Sequence, residues 1–175
     1  MNSVALLEQL QQQQQCVLNH CIQTQPNYKI QYHPDLSPAG WHLGHCIFTE
    51  NYWVKEVLLA VAACDEALKS LYIPENSPKA ERGKALPEYH ELCEWAENTQ
   101  TENRKLLREV LNNNSRHELM RNDYLIKFLM QHYAQHYETL QIISAQAALA
   151  KTYEFIVKDP LQSSQLICAS RTISP

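Results

Sequence analysis

Residues 124–143 read YLIKFLMQHYAQHYETLQII. Leu125, Leu129, Leu140 and Ile143 recur at helical steps and mark one apolar stripe on an amphipathic helix. His132 and His136 fall on the same stripe, where packed core residues are expected. The pattern runs from about Arg116 to Lys151. Upstream, Asn112-Asn113-Asn114-Ser115 ends another helix and offers caps to this one. That earlier helix opens at Pro87 and carries Leu92, Trp95, Leu106, Leu107 and Val110 on its inner side. Residues 72–86 hold two prolines and a glycine, which predicts the longest loop. Before it, Ser37-Pro38 sets an N-cap hydroxyl ahead of a proline at the first helical position. Trp41, His45, Phe48, Tyr52 and Leu59 then follow at three- and four-residue steps, predicting a helix to about Leu71. Residues 25–36 are a connection, and residues 3–24 a first helix with Leu6, Leu10, Val17 and Ile22 near a helical period and its glutamine run solvated. Four amphipathic segments without a convincing strand predict an all-α four-helix bundle over residues 1–160, with a polar tail over 161–175.

Composition narrows the function. A chain of 175 residues is one domain by size. Fifteen Lys+Arg against nineteen Asp+Glu leave a net charge of −4, which excludes the basic face of a dedicated nucleic-acid binder. Three glycines, with neither GxGxxG nor GxxxxGK[ST], exclude dinucleotide and P-loop chemistry. The longest apolar run, Val57–Cys64, is too short to span a bilayer. The first fifteen residues lack the basic and apolar regions of a secretory signal, so a cytoplasmic protein without a membrane partner is expected. The six cysteines form no C-x-x-C pair and read as reduced thiols packed as small apolar side chains, neither disulfides nor a zinc ribbon.

The chemistry lies in the histidines. His132 and His136 are four apart, so both imidazoles face one way about 6 Å from each other. His45 lies between Trp41 and Phe48 on the apolar face of the second predicted helix. Three neutral imidazoles inside a bundle make a divalent-metal site with open positions. The competing reading is three hydrogen-bonded core histidines and no metal. Glu138 is rotated about 200° from His136, so it is expected to accept a ring N–H from a histidine instead of binding metal; an exposed carboxylate is the alternative. His42 is placed at the helix flank, and His20, His33, His90 and His117 in solvent.

Two motifs carry a resemblance. Ser37-Pro38-Ala39-Gly40-Trp41-His42-Leu43-Gly44-His45, with Phe48 and Glu50 after it, is similar to the opening signature of the DinB-like superfamily. His132-Tyr133-Ala134-Gln135-His136-Tyr137-Glu138 resembles the H-x-x-Q-H-x-E signature of one branch, the N-terminal domain of ergothioneine and ovothiol sulfoxide synthases. Arg82-Gly83 and Leu86-Pro87 between them are similar too. The resemblance implies an up-down-down-up bundle that binds iron(II), with zinc or nickel as alternatives, through His45, His132 and His136. It implies a substrate contact at Gln135, and a carboxylate contact at Arg82 helped by Lys79, for a small-molecule thiol. It also implies a homodimer. The C-terminal lectin-like domain of those synthases, which supplies a catalytic tyrosine, has no counterpart in residues 1–175, and Tyr52, Tyr133 and Tyr137 are the bundle's own candidates. Two functions are therefore expected to compete. One is a stand-alone metal-dependent enzyme acting on a thiol, as a transferase or a sulfoxide-synthase-like catalyst. The other is a metal-binding subunit that needs a separate catalytic partner.

Overall fold

The computed structural model describes residues 3–113 and 117–152. The expected tail and Cys168 lie outside the described residues. Among the described residues there is no strand. The helices are α1 (Ser3–Gln23), α2 (Ala39–Asn51), a π-helical continuation (Tyr52–Leu58), α3 (Glu66–Tyr72), α4 (Lys79–Ala85), α5 (Tyr89–Asn112), a 3-10 segment (Glu118–Asp123) and α6 (Tyr124–Thr152). No described helix is long and apolar enough to cross a membrane.

α1, α2, α5 and α6 form the bundle. α1 and α6 run the same way: Ser3 Oγ donates to Asp123 Oδ1 at one end, and His20 Nε2 meets Ser144 Oγ at the other. α2 runs against both, since Glu50 reaches Gln14 while His42 reaches His136. α5 follows α2, with Tyr28 OH bonded to Pro87 O near the start of both and Lys55 paired to Glu102 further along. The order is up-down-down-up. Leu10, Val17, Leu43, Ile47, Leu129 and Leu140 are fully buried between these helices. Each such side chain contributes about 1.5–3 kcal/mol relative to exposure. Cys21, Cys46 and Cys64 pack among them as free thiols. Burial pushes Cys21 up to about 12 and Cys64 to about 11, so both are inert at neutral pH.

Four local expectations are corrected. The helix predicted from Ser37 to Leu71 breaks after the π-helical turn: Ala60 takes a positive φ of 55°, and Glu56 Oε1 accepts from the backbone N–H groups of Ala63 and Cys64. Asp65 instead caps a new helix by accepting from Leu68 N, and α3 folds back on α2. Second, Ser37 is not the cap; Pro38 holds that position, and the Ser37 hydroxyl accepts from Arg82. Third, residues 79–85 of the predicted loop form α4. Fourth, His20 and Gln14 are buried, because the α1 seams supply hydrogen-bond partners that replace water: Ser144 for His20, Glu50 for Gln14. His33 and His90 are exposed, as expected.

Candidate metal centre

His45 projects from α2, and His132 and His136 project from α6. One ring nitrogen of each lies within 4.8 Å of the others. The ring centroids are 5.1 Å (His45–His132), 4.9 Å (His45–His136) and 4.5 Å (His132–His136) apart. The Nε2 atoms of His45 and His132 are 3.3 Å apart. Metal–nitrogen bonds of about 2.0–2.1 Å place neighbouring ligand atoms on the order of 3–3.4 Å apart, so this spacing suits two ligands of one ion. His45 Nδ1 donates to Tyr72 O at 2.7 Å, which leaves the lone pair on Nε2, toward His132. The donor set is therefore chemically competent for a divalent ion.

Electrostatics keep those lone pairs free. Burial lowers the pKa of all the clustered histidines: His42 to about 3, His132 to about 4, His136 to about 2, and His45 in the same direction. Mutual repulsion adds to this; for His42 the His45 ring comes next, then Arg82 and Lys79. The rings are neutral at pH 7. The unfolded chain, with ordinary histidines, takes up protons as the pH falls through about 6.5, whereas the folded metal-free chain does not. Its stability is thus complete above about 6.5 and declines as the pH falls toward 4. Each such histidine contributes up to about 1.4 kcal/mol per pH unit. Urea midpoints of the metal-free protein at pH 7.5 and pH 5.0 check this; equal midpoints would contradict the buried neutral rings.

His42, placed by sequence at the helix flank, is buried and bonds through Nδ1 to His136 Nδ1 at 2.8 Å. It is the supporting group for His136 that sequence reasoning set aside; its signal was the three-residue step from His45. Trp41 stacks on His45, with centroids 4.8 Å apart and planes within 10°. The indole N–H is anchored on Leu71 O, 2.8 Å away. The carbonyls of Leu71 and Tyr72 at the end of α3 therefore hold Trp41 and His45 in place. The break after the π-helical turn makes this possible.

The centre opens on two sides. A cavity of about 490 Å³ is lined by His42, His45, His136, Trp41, Lys79 and Arg82. Arg82 is buried, with its guanidinium 3.8 Å from the Trp41 ring centroid. It donates to Ser77 O, Ser37 Oγ and Pro74 O, and no carboxylate pairs with it among the described residues. On the other side Gln135, His132, Phe128 and Gln131 line a cavity of about 370 Å³. Gln135 and Glu138 are both exposed on α6, and the histidine N–H that Glu138 was expected to hold is instead met by Tyr72 O and His42.

A bundle of this topology with clustered histidines from its second and last long helices defines a class of metal-binding helical proteins. The chain belongs to the DinB superfamily, whose family model matches residues 5–140. Neither the curated proteins nor the solved structures contain a match to the chain.

Proposed function

We propose that this protein is a divalent-metal-dependent enzyme acting on a small thiol that carries a carboxylate. The observation that supports the reading most is the meeting of three neutral imidazoles, two of which (His45 and His136) line a cavity that also holds a buried guanidinium with no carboxylate partner among the described residues. His45, His132 and His136 would hold the metal ion, which would supply positive charge that lowers the pKa of a substrate thiol toward neutral pH. Arg82 has five N–H donors and uses three on the protein, leaving one on each terminal nitrogen for a substrate carboxylate. Lys79 adds a second cation on the same wall, and Gln135 stands at the second opening for a polar substrate group. Iron(II), zinc and nickel all accept three imidazoles, and iron(II) is the candidate that the sequence motifs put first. A homodimer is part of the proposal; Ile142 and Leu149, exposed on α6, are apolar surface that it would cover.

A specific observation favours keeping the second reading. Tyr133 is fully buried and bonded to Glu50, and Tyr137 packs edge-on against His20. Sulfoxide-synthase-like chemistry would then draw its tyrosine from Tyr52, exposed beside Phe48 and Trp53, or from another polypeptide. The test is thiol transfer by the purified, metal-loaded chain, comparing a carboxylate-bearing thiol with its methyl ester. The free acid is expected to show at least about a tenfold lower KM, a difference that R82A abolishes. Equal KM values would remove Arg82 from substrate binding. Turnover only after adding a partner protein would favour the subunit reading.

A further inference from the structure

A second polar assembly lies in the core beside the histidines. Arg104 of α5 donates to Gln14 Oε1 of α1. Gln14 Nε2 donates to Glu50 Oε2 of α2 at 2.7 Å, and Tyr133 OH of α6 donates to the same oxygen at 2.7 Å. Gln100 Nε2, again from α5, donates to Tyr133 OH at 3.1 Å. Both arms donate toward Glu50 Oε2, and together they tie all four bundle helices. Gln14, Glu50, Gln100 and Tyr133 are 1%, 0%, 3% and 0% exposed, so water does not compete for these bonds.

We propose that the Glu50–Tyr133 hydrogen bond is the positioning clasp of the metal centre, setting the register of α2 against α6 and with it His45 against His132 and His136. Glu50 follows His45 by five residues on α2, about 7.5 Å along the axis, and Tyr133 adjoins His132 on α6. The proposal rests on the metal-binding reading above. Metal ligation needs ligand atoms in place to about 0.2 Å, and these ligands come from two different helices. His45 is held by Tyr72 O and Trp41, but His132 Nδ1 is buried with no partner among the described residues, so the placement of His132 depends on where α6 lies. Packing alone does not account for the polar chain. Glu50 and Asn103 are both 0% exposed, and apolar residues of similar volume would avoid their desolvation. Apolar surfaces slide past one another at small cost, whereas a 2.7 Å hydrogen bond tolerates little displacement. Glu50 and Tyr133 are positioning residues, with no contact to a reacting atom.

The test is cobalt(II) titration of the metal-free protein, read by affinity and by ligand-field bands, beside the thermal midpoint of each variant. Y133F is expected to bind cobalt about 10–100-fold more weakly, with shifted bands. E50Q keeps an amide oxygen that accepts from Tyr133 and is expected to retain affinity and spectrum. E50L removes both the bond and the buried carboxyl and leaves the Tyr133 hydroxyl and the Gln14 amide without that acceptor, so its thermal midpoint is expected to fall; it is the second variant if Y133F does not fold, and is expected to lose affinity. Wild-type affinity and bands in Y133F or folded E50L would overturn the clasp and leave metal binding intact. Absence of cobalt bands in the wild-type protein would overturn the metal reading itself, and the clasp with it.

Discussion

Replacing His132 with alanine is expected to abolish stoichiometric metal binding while leaving the bundle folded. His132 Nε2 faces His45 Nε2 at 3.3 Å, and no other described side chain stands where it could substitute. Removing a group that only supports a ligand typically costs about 10–100-fold in metal affinity, so loss of a ligand itself should exceed about 100-fold. H45A and H136A should behave alike. H45A should in addition free the Tyr72 carbonyl and loosen Trp41, which stacks on the lost ring. The measurement is elemental analysis of protein purified without oxygen or a histidine tag, beside the triple alanine variant. Near-equimolar metal in the wild type and none in the variants is the expected result, with circular dichroism unchanged. Metal content that survives H132A would place the site elsewhere.

The second large effect is expected at a residue that bears no side chain. Gly44 lies on α2 beside His45, and a Cβ there would overlap Cε1, Cζ and the hydroxyl of Tyr72. Tyr72 is 1% exposed and stacked on Trp95, with centroids 5.6 Å apart, so making room for a methyl group means moving both rings. G44A is therefore expected to cost about 3 kcal/mol, the upper end of ordinary overpacking. For a chain of this size that lowers Tm by roughly 6–12 °C. Any shift of Tyr72 also moves the carbonyl that orients His45, so metal affinity should fall about tenfold in the same variant. Trimming the obstruction with Y72L should restore part of the stability. An unchanged Tm in G44A would show that α3 is not seated on α2 as described.

Helix periodicity carried most of the fold into the sequence. The α6 stripe repeats over many turns, so its existence and its buried face follow from local spacing, and the His132–His136 pair is legible as two rings on one face. The break after the π-helical turn was less legible, because residues 57–63 are apolar and fit either a helix or its end. The available signal was Asp65 followed by Glu66, a cap and first-turn acid in the middle of a predicted helix. Arg82 was harder still. On a loop-like stretch with lysines and a glutamate around it, an arginine reads as solvated. Only the return of α3 and α4 over Trp41 encloses it with Ser37 and the carbonyls of Pro74 and Ser77. Gln14 was misjudged for a related reason: a polar residue on a helix shows no partner in its own neighbourhood, and its partner Glu50 is 36 residues away.

The sequence by itself determined what is local: four amphipathic helices, an i,i+4 histidine pair, and a third histidine on a second apolar face. Tertiary structure alone decided that His45 meets that pair, that His42 supports His136, that Tyr72 O directs the His45 lone pair, and that a guanidinium lies buried beside them. The physical reason is range. Helical periodicity arises from hydrogen bonds spanning four residues, while these contacts join residues 27 to 94 positions apart and exist only once the helices have packed.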